Sequence, residues 1–151
     1  MKKYELTSDT KIVFGHILYR IKALSSFGCV SAGDLGGFLE SEKNLSQNGD
    51  AWVYGDAEVY GNARVYGNAE VSKIGSIFWI GAVGSRNDTA TFFRCTDGVV
   101  RVTCGCFFGN LDEFAKKVRK THGDNDHAKV YMLAIDMAKI RISTEKEKTE
   151  E

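Results

Sequence analysis

The chain has 151 residues, a hydrophobic fraction of 43% and nine Phe, enough for a real core in one domain or in a small domain with appendages. Twenty Lys and Arg balance twenty Asp and Glu, so the zero net charge gives no sign of a nucleic-acid binder. The N-terminal stretch MKKYELTSDTKIV lacks the apolar run of a signal peptide, and no stretch approaches about 18 consecutive apolar residues, so no membrane span is expected. The four cysteines, Cys29, Cys95, Cys104 and Cys106, are therefore expected as reduced thiols in a cytoplasm.

Residues 4–24 read as a strand pair. Ile17, Tyr19, Ile21 and Ala23 alternate with Leu18, Arg20, Lys22 and Leu24, which is the period of a strand. Both faces hold apolar residues, so residues 1–30 are expected to form an N-terminal cap covered on both sides. Gly33-Asp34 makes a first, imperfect corner. The polar run 39–48, LESEKNLSQN, reads as a loop with Leu45 returning inward.

Residues 49–72 then repeat in sixes: GDAWVY, GDAEVY, GNARVY, GNAEVS. Ala51, Ala57, Ala63 and Ala69 stand two positions before Val53, Val59, Val65 and Val71, so Ala and Val point the same way from a strand. Trp52, Glu58, Arg64 and Glu70 would then point outward. The Gly-Asp or Gly-Asn pair supplies the positive φ of a tight corner. A fixed period of six is a β-helix signature, and the motif V-Y-G-[DN]-A-x resembles the hexapeptide repeat of left-handed parallel β-helices. Residues 31–75 are expected to form a short helix of this kind. One buried Val contributes roughly 1.5–3 kcal/mol, whereas ordering each residue costs about 1–2 kcal/mol. Four repeats therefore cannot stand alone, and a homo-oligomer, a trimer or a dimer, is expected.

Residues 76–142 read as an α+β module. SIFWIGAV, TATFFRC and VVRVTC predict three antiparallel strands, the last two joined by the Asp97-Gly98 turn. Asn110, with Glu113 three residues on, predicts the start of a helix that buries Leu111, Phe114, Ala115 and Val118 and stops at Gly123. A second helix is expected from near Asp126, with Ala128, Tyr131, Met132, Ile135, Ala138 and Ile142 as its apolar stripe. Residues 143–151 hold four Glu and two Lys and read as a disordered charged tail.

Three constellations bear on chemistry. His16, His122 and His127 all lie outside the repeat, which speaks against an acyltransferase of the hexapeptide kind. Cys104-Gly105-Cys106, with Cys95 and His122, is a possible thiolate set. However, Cys-x-Cys is shorter than the usual zinc spacing, and neither a metal nor a cofactor is expected. The third set is Gly84, Ser85, Arg86 and Asn87 in a glycine loop, with Arg94, Phe107, and Lys120, Thr121 and His122 at a helix end. Arg forks and free backbone N–H groups suit a phosphate or carboxylate, and Phe rings suit stacking. These nine residues are the expected ligand-binding site.

Three blocks carry a resemblance beyond the repeat. They are KYELTSDTKI with LYRIKAL; AGDLGGFLESEKNLSQNGDAWVYGDAEVYGNARV; and VGSRNDTATFFR, DGVVRVTCGCFFGNLDEF and KTHGDN. Together they resemble a family of small bacteriophage and prophage proteins with hexapeptide repeats and no settled activity. The resemblance implies phage origin, a setting in the host bacterial cytoplasm and an accessory role, and it supplies no catalytic residue. The expected function is a non-catalytic accessory protein that binds a small anionic, nucleotide-like host molecule and sequesters an immune signal. The alternatives are a structural or host-protein-binding oligomerisation module and an acyltransferase-like enzyme.

Overall fold

The computed structural model describes residues 2–142, so the tail expected over 143–151 lies outside the described residues. The chain forms two compact units, Met1–Ile74 and Gly75–Glu151.

In the first unit, β1 (Tyr4–Val13) and β2 (His16–Ala23) form an antiparallel hairpin. Its two-residue turn, Phe14-Gly15, has both φ angles positive, at 49° and 84°, which matches the right-handed twist of the flanking strands. β3 (Leu35–Leu39) pairs antiparallel with β2. The repeat contributes β4 (Trp52–Val53), β5 (Glu58–Val59) and β6 (Glu70–Val71), each only two residues long. β5 lies parallel to β3, with Phe38 opposite Glu58, and closes a four-stranded sheet in the order β1-β2-β3-β5. β4 and β6 pair parallel in a separate two-stranded sheet, with Trp52 opposite Glu70 and Val53 opposite Val71.

This corrects the expected architecture. The repeat does not form a left-handed β-helix closed by a separate strand cap. Its two-residue strands are divided between two sheets, and the larger sheet is dominated by the long β1-β2 hairpin. The alternation within the repeat still orders the interior: Ala51, Val53, Ala57, Val59, Ala63, Val65, Ala69 and Val71 are all buried. Trp52, expected to point outward, is buried as well, packed edge-on to Tyr4 at 6.1 Å and Phe27 at 5.3 Å. The polar run is not wholly loop, since Glu42–Asn44 forms a 3-10 turn and Leu45 behind it is buried and bridges Val65.

Two buried polar side chains satisfy backbone groups at the repeat corners. Lys3 Nζ donates to the carbonyls of Gly49 at 3.1 Å and Ala51 at 2.8 Å, and burial pushes its pKa down to about 8. Asn44 donates to the carbonyls of Gly61 at 3.2 Å and Ala63 at 2.8 Å and accepts from the Ser41 N–H at 3.0 Å. A buried carbonyl without a donor is costly, so these bonds take the place of the ladder that two-residue strands cannot provide.

The second unit is a four-stranded antiparallel meander with two helices. Its strands are β7 (Ile77–Val83), β8 (Asp88–Arg94), β9 (Val100–Cys104) and β10 (Phe107–Asn110), neighbours in chain order. The sheet thus has four strands rather than the expected three, and Phe107–Asn110 is the addition. The helices are α1 (Leu111–His122) and α2 (Asp126–Arg141). Asn110 caps α1, accepting from Glu113 N at 2.8 Å while Glu113 Oε1 accepts from Asn110 N at 2.8 Å. Asn125 caps α2 by accepting from Ala128 N at 3.0 Å. The helices bury Phe114, Val118, Tyr131, Ala134, Ile135 and Ala138 against Phe92, Val100 and Val102 of the sheet. Among the described residues, no helix is long and apolar enough to cross a membrane.

Candidate functional site

A meander places alternate turns at alternate ends of its sheet. The β7-β8 turn, Gly84 to Asn87, and the β9-β10 turn, Gly105-Cys106, therefore share one end. The β8-β9 turn at Asp97-Gly98 lies at the other. β10 runs away from the first end, and the last turns of α1 come back to it, where Lys117, Val118, Thr121 and His122 meet the residues of the two turns. The two turns and the end of α1 enclose a cleft of about 620 Å³.

Each turn is shaped by its backbone. Asn87 N donates to Gly84 O at 3.3 Å, with φ of +76° at Gly84 and +54° at Asn87. Gly105 has φ +58°, and the Asp88 carboxylate lies over it, where an ideal Cβ would stand 3.1 Å from Oδ2. A side chain at Gly105 would thus be both strained and crowded.

Five of the nine expected site residues line the cleft: Ser85, Arg86, Phe107, Thr121 and His122. The other four do not. Gly84 lies behind it, under the Tyr131 hydroxyl. Asn87 closes the turn. Arg94 sits at the far end of β8, opposite Val100 and six positions from Asp88, which is roughly 20 Å along a strand. Lys120 lies off the lining face of α1, where Phe114, Lys117, Val118, Thr121 and His122 form a stripe at helical spacing. Lys117 takes the place expected for Lys120, and the 3.6-residue period of α1 already contained that information. Asp88, Cys104, Cys106, Phe108 and Tyr131 complete the lining. Cys95, grouped with Cys104 and Cys106 in the sequence, is buried at the opposite end of the sheet, beyond Arg94.

The floor is aromatic. Phe107 lies 5.1 Å from Phe114, and Phe114 meets Tyr131 edge-on at 5.5 Å. The His122 ring stacks on Tyr131 at 5.8 Å with 23° between planes, and His127 stands 5.3 Å behind it. The Cys104 thiol donates to the Tyr131 hydroxyl at 3.9 Å. Burial, reinforced by Cys104, pushes the Tyr131 phenol up to about 12. Burial also pushes the Cys104 thiol above its ordinary range. Both groups therefore keep their protons at neutral pH, and a protonated thiol is a poor nucleophile.

Charge is confined to the rim. Arg86 and Lys117, from different elements, line the cleft together with one carboxylate, Asp88. A planar guanidinium and an ammonium at the mouth of an aromatic cleft suit an anion attached to a ring. Among the described residues, no group of three or more His, Cys, Asp or Glu is placed to hold a metal ion. No protein-family model matches the chain, and no curated protein matches it.

Proposed function

We propose that the Gly75–Glu151 unit binds a small anionic molecule carrying an aromatic ring, of the nucleotide kind, without turning it over. The observation that carries this reading is that one cleft is lined by the two cations Arg86 and Lys117 and by the rings of Phe107, Phe114, His122 and Tyr131. Phosphate oxygens would be held at the rim by charge-assisted hydrogen bonds, and the base would lie on the rings. The protonated Cys104 and Tyr131 favour binding over catalysis, because neither is poised to attack. The resemblance to bacteriophage and prophage proteins gives the setting. In a host bacterial cytoplasm, a nucleotide signal of host immunity is the ligand, and binding it removes it from circulation.

The test is calorimetric titration of the full chain with mononucleotides and cyclic dinucleotides, with inorganic phosphate as the control. A nucleotide should bind at one site per chain, more tightly than phosphate, and be recovered intact. Failure of every nucleotide to bind, or its conversion to product, contradicts the reading.

A further inference from the structure

Helix α2 is apolar on two faces. Ala128, Tyr131, Ala134, Ile135 and Ala138 are buried in the core of their unit. Val130, Leu133, Met137 and Ile140 are exposed, at 41, 62, 41 and 86%. Their spacing is three, four, three, which is the seam of a two-stranded coiled coil. Scattered exposed apolar residues are ordinary, but four in register along one stripe, with Lys129 on one side and Arg141 on the other, make a continuous surface.

We propose that a second copy of this chain docks on this stripe, with the two α2 helices parallel. An identical helix supplies matching layers: Val130 on Val130, Leu133 on Leu133, Met137 on Met137 and Ile140 on Ile140. The flanking charges select the direction. Asp136 borders the seam on one side and Arg141 on the other. Parallel helices bring Asp136 against Arg141 of the second copy, five residues on, twice by symmetry. Antiparallel helices bring Asp136 towards its own counterpart instead, and like charges repel. Four side chains fall short of the roughly 800 Å² per partner of a stable interface, so the dimer is weak and depends on concentration. Association thus belongs to α2 rather than to the repeat.

Sedimentation velocity of the full chain, under reducing conditions and from about 5 to 500 µM, reads this directly. The wild type should shift from monomer to dimer across that range. Leu133→Glu should weaken the dimer at least about tenfold while the melting temperature holds, because the replaced side chain is exposed. Asp136→Arg should weaken it too, and adding Arg141→Asp should restore it. If Leu133→Glu unfolds the unit, the charge exchange decides alone, since both its positions are exposed. A wild type that stays monomeric overturns the proposal, as does a dimer indifferent to Leu133→Glu. A dimer that Asp136→Arg strengthens overturns the parallel arrangement.

Discussion

The Tyr131 ring of α2 lies against the backbone of Gly84, where an ideal Cβ would stand 2.7 Å from Tyr131 Cζ. That contact ties the β7-β8 turn to the second helix and sets the back wall of the cleft. It also explains the glycine: its φ of +76° and the proximity of the ring each exclude a side chain.

Gly84→Ala should therefore destabilise the second unit by about 2–4 kcal/mol, combining left-handed strain with overpacking. Tyr131→Phe removes the hydroxyl nearest the added methyl, so the double variant should lose less than the sum of the two single changes. Denaturant titration of the four proteins measures the coupling. Strict additivity would mean that the two residues do not press on one another.

The Tyr131 phenol supplies a pH prediction. Its folded-state pKa, about 12, exceeds the ordinary value of 10. Between those values the unfolded chain has lost the proton and the folded chain keeps it, so the unfolded state binds fewer protons and stability falls as pH rises. Below pH 10 this residue contributes no pH dependence. The tyrosinate absorbance lost in Tyr131→Phe should titrate near 12, and the alkaline loss of stability should be shallower in that variant.

The rim cations should separate from the arginine at the other end of the sheet. Arg86→Ala should weaken nucleotide binding roughly ten- to a hundredfold, the equivalent of one charge-assisted hydrogen bond of about 1.5–3 kcal/mol. Lys117→Ala should act in the same direction, whereas Lys120→Ala and Arg94→Ala should leave affinity unchanged. Calorimetry on the four variants gives the order, and an Arg94 effect as large as that of Arg86 would move the site to the wrong end of the sheet.

In the first unit, Asn44→Ala leaves the Gly61 and Ala63 carbonyls and the Ser41 N–H without their partner. A loss of about 3–5 kcal/mol is expected, at the upper end for a single polar side chain. Chemical denaturation followed by the fluorescence of Trp52, which is buried in that unit, measures it.

Much of the second unit was legible in the sequence, because its elements are long. The Asp97-Gly98 turn, the Asn110-Glu113 capping pair and the stop at Gly123 are local signals with local causes. The first unit is less legible for a related reason. A repeat of six reports which residues face inward, but its strands are only two residues long, so their sheet partners come from elsewhere in the chain. Nothing in Glu58-Val59 announces that it will extend β3. Alternation alone points Trp52 outward, although a side chain of that size finds an interior when Tyr4 and Phe27 are there to receive it. The expected site residues that the cleft leaves out differ in kind. The turn parity of a meander separates Arg94 from Arg86, and the period of a helix turns Lys120 off the lining face, both readable beforehand. The role of Gly84 depends on Tyr131, far along the chain, and only the fold reveals it.

On the proposed function, the cleft between the two sheet turns and the end of α1 receives an aromatic anion. The most direct measurement is a titration of the backbone amide NMR spectrum with a binding nucleotide. The expected shifts cluster at Ser85, Arg86, Gly105, Cys106, Phe107, Thr121 and His122, with Arg94 and the Asp97-Gly98 turn unmoved. Shifts centred on the Asp97-Gly98 end, or on the first unit with these residues silent, would contradict it.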